Sequence, residues 1–269
     1  MSHRAEHEPM RRERLWEIDA LRTVALILMV VYHVAWNIDL LSVASPLDAH
    51  SGGWRAVQVA CGSLFLFVSG LAAAVATNRA RARGLSLRTV YRRQMRRILT
   101  VAAAALLVSV ATLVALGPDR YVRFGVLHCI VVAMLIAPVL VGLRRWLLPL
   151  AASIAAAGFV LAAGGPRDIP WLLPLGVPQS GGAGVDWYPL TPWLAPVLIG
   201  LLLGGLLYPD GARGRIVRRL ANEPHWTQRI WAPGRHTLGI YLIHQPLLLP
   251  LTALGLMAVG VEIRVDARG

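Results

Sequence analysis

Three histidines, His33, His128 and His244, interrupt long apolar stretches of this chain. Histidine titrates near neutrality, so its ring can accept and return a proton at working pH. A polar residue inside a membrane-length apolar segment is costly and usually faces the protein interior. The three residues are therefore candidates for acid–base catalysis in a polar cavity. Taken singly, each fits a hydrogen-bonded tie between helices equally well.

Further polar residues flank these histidines. Asn37 follows His33 by four positions, so the two side chains share one face of a helix, and Asp39 follows in the same stretch. His50 lies in the first loop, where a histidine can also exchange protons. At the start of the stretch, Asp19 and Arg22 have the spacing of an ion pair at a helix end.

A basic segment precedes the third apolar stretch. Its arginines include Arg92, Arg93, Arg96 and Arg97. Guanidinium groups bind phosphates through paired hydrogen bonds, and clusters of them also attract anionic lipid headgroups. The segment predicts a phosphate-binding surface and leaves open whether the phosphate belongs to a soluble nucleotide-like ligand or to lipid.

Membrane helices must position these side chains. The 269 residues are 56% hydrophobic and only 15% charged, whereas soluble domains are roughly one quarter charged. A helix of about 20 apolar residues crosses a bilayer. Seven stretches qualify: 21–43, 56–77, 98–116, 124–143, 146–163, 190–208 and 238–260. The predicted fold class is therefore all-α, a polytopic membrane helix bundle of about seven transmembrane helices.

The charge distribution predicts the orientation of the bundle. All 27 basic residues are arginines and the net charge is +13. Twenty arginines fall on the segments that share a side with the N-terminus and six on the opposite segments, so the N-terminus is predicted to be cytoplasmic. We expect a cytoplasmic segment 1–20, a transmembrane domain 21–260 and an extracytoplasmic tail 261–269. Nucleic acid is excluded as a partner, because the arginines alternate with apolar spans instead of covering a polar surface.

Other features give weaker expectations. Cys61 and Cys129 fit small buried hydrophobic residues, with a disulfide left open. No cysteine and histidine spacing is typical of a zinc site, so no metal is expected. Gly200 and Gly204 have the spacing of close helix packing. Segment 186–193, which is acidic and aromatic, fits a wall for a sugar ring and an interfacial anchor about equally.

Five blocks of sequence, 14–33, 63–70, 123–128, 186–190 and 234–246, resemble the membrane family related to heparan-α-glucosaminide N-acetyltransferase. They include Asp19-Ala20-Leu21-Arg22, Asp186-Trp187-Tyr188-Pro189 and Gly234-Arg235-His236-Thr237. The blocks occur in the family's order along nearly the whole chain, and the resemblance is closest to the short bacterial members.

The resemblance implies a multi-helix acyltransferase that moves an acetyl group from cytosolic acetyl-CoA to an amino sugar across the membrane. It implies an essential histidine in the first outer loop, here His50, and an asparagine in the first span, whose position is held here by His33. His33 can then be the base itself. Asn37 or backbone N–H groups would stabilise the oxyanion, and the arginines at 92, 93, 96 and 97 would hold the phosphates of CoA.

The predicted function is thus an acyl-CoA-dependent acyltransferase of the bacterial cytoplasmic (inner) membrane, acting on an extracytoplasmic sugar or glycan, with lipid as its surroundings. A proton-coupled transporter or flippase is an alternative, although no internal repeat is present. A non-catalytic membrane protein is another. The oligomeric state, including a homo-oligomer, is left open. The candidate catalytic residues are His33, Asn37, Asp39, His50, His128 and His244.

Overall fold

The computed structural model describes residues 14–45, 47–221 and 227–264, and they are largely helical. The α-helices are α1 (Trp16–Leu41), α2 (Gly52–Arg81), α3 (Leu87–Leu116), α4 (Val126–Leu140), α5 (Leu147–Ala163), α6 (Leu190–Leu207), α7 (Thr227–Ile230) and α8 (Thr237–Ala258). Short 3-10 segments lie between them. The described part of the chain has an isolated bridge between Ser42 and Ile263 and no β-strand. The predicted all-α class is confirmed.

Six helices are long and apolar enough to cross a membrane, and one of them is the 38-residue stretch Val126–Ala163. The sequence predicted two spans here, at 124–143 and 146–163. The stretch contains α4, a 3-10 segment with a kink at Leu143, and α5. It is nearly twice the roughly 20 residues that one crossing needs.

The chain reverses direction at this 3-10 segment. The Arg81 guanidinium, at the end of α2, donates to the carbonyl of Pro138 near the end of α4 at 3.0 Å. A β-carbon on Gly158, late in α5, would lie 2.8 Å from Pro192 at the start of α6. The N–H of Val126, at the start of α4, donates to Asp186 just before α6. The start of α4 and the end of α5 therefore lie at the same end of the bundle. The number of crossings and the orientation stay predictions.

Helices α2 and α6 form the centre of the bundle, where their backbones touch. A β-carbon on Gly70 would lie 2.1 Å from the carbonyl oxygen of Val197, and one on Gly200 would lie 2.1 Å from that of Phe67. At Gly204 the clash would be with Ala74, at 2.6 Å. The predicted close packing at Gly200 and Gly204 is confirmed. The surrounding core includes the buried side chains of Leu66, Val197, Leu198 and Leu201.

We call the end of the bundle that holds Glu17, Arg81 and Arg213 the arginine-rich end. There the guanidinium of Arg213 lies 2.7 Å from the carboxylate of Glu17. The ion pair predicted between Asp19 and Arg22 is also confirmed, because the Arg22 guanidinium lies 3.1 Å from the Asp19 carboxylate. At the opposite end, the backbone N–H of Arg264 donates to the carbonyl of Leu41 at 2.7 Å.

The segment that leads into α8 contacts α1. The N–H of Gly234 donates to the hydroxyl of Thr23 at 3.0 Å. A β-carbon on Gly234 would lie 2.0 Å from the carbonyl oxygen of Asp19. Two of the sequence blocks, around 19–22 and 234–237, are therefore in direct contact.

Three details could not be read from hydropathy. Helix α3 begins at Leu87, well before the apolar span 98–116. Its first turns are rich in arginine, so hydropathy does not detect them. The hydroxyl of Ser86 accepts from the N–H of Thr89 and caps the helix. Both cysteines are buried and free. Helix α8 continues through Pro246 and Pro250.

Gly200→Ala should destabilise the fold by about 1–3 kcal/mol, because the new methyl group must push α2 away from α6. Gly205→Ala is the matched control, since a β-carbon there meets nothing within 4 Å. The melting temperatures of the purified proteins in lipid nanodiscs measure the difference. Equal melting temperatures would show that the two helices are not in backbone contact.

Candidate functional site

Two cavities of different chemistry lie inside the bundle. The arginine cavity, of about 760 Å³, is at the arginine-rich end, and its charged lining is Arg22, Arg93, Arg96, Arg97 and Arg235. The histidine cavity, of about 340 Å³, is lined by His33, His244 and Asp186, by tyrosines and apolar residues, and by Gln58, Thr112 and Gln245. Phe65, Val126 and Tyr241 line both. The two cavities are therefore adjacent, and these three side chains form their junction.

The arginine cavity concentrates positive charge. Arg22 is paired with Asp19, whereas Arg93, Arg96 and Arg97 make no side-chain hydrogen bond or ion pair with any residue that the structure describes. Positions 93, 96 and 97 share one face of α3. Arg92, predicted to belong to this surface, does not line the cavity. Unpaired guanidinium groups around a cavity suit a polyanion such as a phosphate group.

Arg22 and Arg235 are cavity residues that the sequence does not mark as ligand contacts. The spacing of Arg22 indicates only its ion pair with Asp19, and Arg235 fits the positive-inside pattern. They reach the cavity because Gly234 allows the loop before α8 to lie directly on α1. The only sequence signal for them is that both belong to the blocks of family resemblance.

His33 and His244 form a pair at the centre of the histidine cavity. Their ring centroids are 4.6 Å apart and the ring planes are nearly perpendicular, at 80°. Nδ1 of His33 lies 2.8 Å from the carbonyl oxygen of Met29, and Nδ1 of His244 contacts that of Tyr241. A carbonyl oxygen only accepts, so each neutral ring carries its proton on Nδ1 and leaves a lone pair on Nε2.

The lone pair of His244 has no competing partner. Its Nε2 is buried, and no hydrogen-bond partner for it exists among the described residues. Buried polar atoms are normally satisfied, and an exception calls for a functional explanation. His244 lines the histidine cavity, and an unpaired proton acceptor in a cavity wall is suitable for general base catalysis.

Asn37 joins α1 to α8 beside this pair. Its side-chain amide exchanges two hydrogen bonds of 3.3 Å with the amide of Gln245. Asn37 is fully buried, and it does not line the cavity, whereas Gln245 does. The amide of Asn37 is thus used between two helices, and its position fixes the distance between His33 and His244.

The structure places the other three candidate residues outside both cavities. Asp39 accepts a hydrogen bond from the N–H of Ala49 at 3.1 Å and so supports the first loop. His50 is exposed on that loop. His128 accepts from the N–H of Gly125 at 3.2 Å through Nδ1 and thereby caps the start of α4.

Asp186 is a cavity residue that sequence analysis did not include among its catalytic candidates. Its carboxylate accepts from the N–H of Val126 at 3.2 Å, and a β-carbon on Gly125 would lie 2.3 Å from the same oxygen. Because the carboxylate faces the cavity instead of bulk water, burial raises the pKa of Asp186 to about 6, and the hydrogen bond from Val126 opposes this shift. Of the acidic and aromatic segment 186–193, Asp186 and Tyr188 line the cavity.

Tyr241 links the two cavities to the histidine pair. Its ring lines both cavities, and its backbone carbonyl orients the ring of His244. Its hydroxyl makes no hydrogen bond with any described residue. A phenol at the junction can donate to an oxygen atom of a molecule that spans both cavities.

Comparison with known proteins shows the family. Searches against curated proteins and against solved structures give no significant match. A family model described as "Heparan-alpha-glucosaminide N-acetyltransferase, catalytic" matches residues 14–246. This range contains helices α1 to α7 and the part of α8 that carries Tyr241 and His244. The chain therefore belongs to the heparan-alpha-glucosaminide N-acetyltransferase catalytic family and is a membrane acyltransferase-like protein.

Proposed function

We propose that this protein transfers an acyl group from acyl-CoA in the arginine cavity to an acceptor amine or hydroxyl in the histidine cavity. The observation that carries the proposal is the junction at Phe65, Val126 and Tyr241, where a cationic cavity meets a cavity that contains a paired base. Acetyl-CoA is the donor that family membership favours, and a sugar or glycan is the favoured acceptor.

The arginine cavity fits the donor in both of its parts. The phosphates of CoA need cations, which Arg93, Arg96 and Arg97 supply. The α2 wall of this cavity includes Ala72, Ala73 and Ala76. Their small side chains leave room for a flexible pantetheine arm, whose thioester then reaches Tyr241.

The histidine pair fits the proton transfers of the reaction. As the acceptor nitrogen or oxygen attacks the thioester carbonyl carbon, its proton passes to Nε2 of His244 or His33. The new C–N or C–O bond forms, the C–S bond breaks, and the departing thiolate takes the proton back from the imidazolium. Two rings 4.6 Å apart repel each other when both are charged, so the pair holds one extra proton at a time.

The hydroxyl of Tyr241 is placed to stabilise the oxyanion. A tetrahedral intermediate carries negative charge on the former carbonyl oxygen, and donors preorganised around that oxygen lower the barrier. The junction is where the thioester must lie if the phosphates stay among the arginines. Tyr241 takes the role that sequence analysis gave to Asn37, whose amide is paired with Gln245.

The arginine distribution supports a direction for the transfer. If the arginine-rich end is cytoplasmic, as the positive-inside pattern predicts, the donor enters from the cytosol and the acceptor is acylated from the extracytoplasmic side. We place the protein in the bacterial cytoplasmic membrane on the same argument and on the resemblance to bacterial members.

Arg93→Gln and Arg97→Gln should each weaken CoA binding by about tenfold, because each removes a charged hydrogen-bond donor to phosphate. Calorimetry with CoA in nanodiscs measures the dissociation constant, which should also increase with salt. Arg92→Gln is the control, since Arg92 lies on the same helix but does not line the cavity. An equal loss with all three variants would mean that the arginines attract CoA only through general surface charge.

His244→Ala and His33→Ala should each reduce acyl transfer by about 100-fold or more, with CoA affinity unchanged, because the reaction loses its general base. Transfer of radiolabelled acetyl groups to an amino sugar measures the rate. His50→Ala, which changes the exposed loop histidine, is the control in the same assay and should retain activity. Loss of transfer with His50→Ala but not with His244→Ala would assign the base to the loop instead.

The Michaelis constant for an amine acceptor should rise by about tenfold as pH falls from about 7 to 5. Asp186 has a pKa of about 6, so its carboxylate is ionised above this pH and attracts the acceptor, and it is neutral below it. Asp186→Asn keeps an oxygen for the N–H of Val126 but removes the titration. The measurement is the ratio of the Michaelis constants of the wild type and Asp186→Asn as a function of pH. A ratio that does not change with pH would exclude Asp186 from acceptor binding.

A further inference from the structure

The histidine cavity is partly open towards the side of the bundle, between α3 and α8. Nearer the arginine-rich end these helices are joined by one apolar cluster, which includes Ile98, Ala105, Leu238 and Leu242. Towards the other end, both helices line the cavity, α3 through Val108, Ala111, Thr112, Ala115 and Leu116 and α8 through Gln245, Pro246 and Leu249. We call this region the α3–α8 cleft.

The residues at the mouth of the cleft are exposed. They are Ala111 and Ala115 of α3 and Pro246 and Leu249 of α8, all of which also line the cavity. The neighbouring exposed residues, Val110, Val114, Leu247 and Leu251, are apolar as well. Both helices are long and apolar enough to span a membrane. The mouth therefore faces the hydrocarbon of the bilayer when α3 and α8 cross it.

The walls of the cleft offer almost no hydrogen bonds to a ligand. The α3 side contributes Val108, Ala111, Ala115 and Leu116. Thr112 is also present, but its hydroxyl donates to the carbonyl of Val108 at 2.7 Å and accepts from the N–H of Val122 at 3.0 Å, so it is already paired. A free sugar with hydroxyl groups on all sides would leave these walls unmatched, whereas a hydrocarbon chain would fill them.

The polar groups of the cavity lie elsewhere in its wall. His33 comes from α1, His244 from α8, and Asp186 from the segment that leads into α6. The cavity thus has a polar part that can receive a nucleophilic headgroup and an apolar part that continues to the lipid. Its shape and chemistry match an amphiphile.

We propose that the acceptor is an amphiphile, an amine- or hydroxyl-bearing headgroup such as a sugar carried on a hydrocarbon chain, and that its chain lies in the α3–α8 cleft. The inference rests on the proposed function, which places the thioester at the junction. Because the donor then occupies the junction side of the histidine cavity, the cleft remains for the acceptor. A membrane-anchored acceptor reaches the histidine pair from the lipid without crossing an apolar wall.

The test compares two probes with the same headgroup, methyl β-glucosaminide and octyl β-glucosaminide, as acceptors for acetyl-CoA in nanodiscs below the micelle concentration. Each methylene moved from water into the cleft favours binding by roughly fourfold. We expect kcat/KM for the octyl probe to exceed that for the methyl probe by at least about 100-fold. Equal values for the two probes would overturn the inference.

Two alanine variants separate the cleft from simple partitioning of the octyl probe into lipid. Ala111→Phe should fill the cleft and reduce the octyl advantage to within about threefold, with a much smaller loss of rate for the methyl probe than for the octyl probe. Ala103→Phe is the matched control, because Ala103 is exposed on the same helix but lines neither cavity. A similar loss with both variants, or with both probes, would contradict a chain-binding cleft.

A binding measurement distinguishes failure of the inference from failure of acyl transfer. Trp36 lines the histidine cavity, so an octyl glucosaminide brominated on the chain next to its headgroup should quench its fluorescence, assigned by comparison with Trp36→Phe. Quenching that occurs in the wild type and is lost in Ala111→Phe supports the cleft, whether or not the probes are acylated. Absence of acylation with both probes would refute the proposed function. Acylation of both probes at equal rates without quenching would refute the cleft and leave acyl transfer standing.

Discussion

Hydrocarbon offers no hydrogen bonds, and this constraint accounts for the placement of nearly every polar side chain discussed above. Asn37 satisfies its amide with Gln245, Thr23 with Gly234, and Glu17 with Arg213. Nε2 of His244, in the wall of the histidine cavity, is one of four buried side-chain atoms that have no partner among the described residues, and the α3 arginines are exposed around the other cavity. The unpaired Nε2 of His244 is a cost to the fold that a bound substrate would offset under the proposed function.

The cavities exist because the bundle is packed unevenly. Contact between the backbones of α2 and α6 at Gly70 and Gly200 provides a rigid centre. Helix α8, by contrast, has His244 as its single buried residue and is positioned by a few specific contacts with α1. A tightly packed α8 would close the space between the histidine pair and α3. The rigid centre therefore supplies stability, and the loosely packed helix supplies room for substrates.

Much of the fold, and less of the site, could be predicted from the sequence. Hydropathy predicted the helices to within a few residues except at α3, since it detects apolar residues and not helical arginines. The site depends on contacts between distant segments. His33 and His244 are equal to His128 as sequence signals, and only packing shows that His128 caps α4 while the other two form a pair. Asp186 and Arg235 reach the cavities through Gly125 and Gly234, where the absence of a β-carbon permits close approach. No local pattern encodes that approach.

The position of the base and the nature of the acceptor are physically linked. A base on an exposed loop, as at His50, would serve an acceptor that remains in water. The pair formed by His33 and His244 lies inside the bundle, so a headgroup must lose water to reach it, at a cost of several kcal/mol if it is not compensated. Asp186 and the two Nε2 atoms can replace part of that hydration, and burial of a hydrocarbon chain between α3 and α8 can supply the remainder. A buried base and a cleft that opens to lipid would thus both serve the proposed acyl transfer inside the bundle.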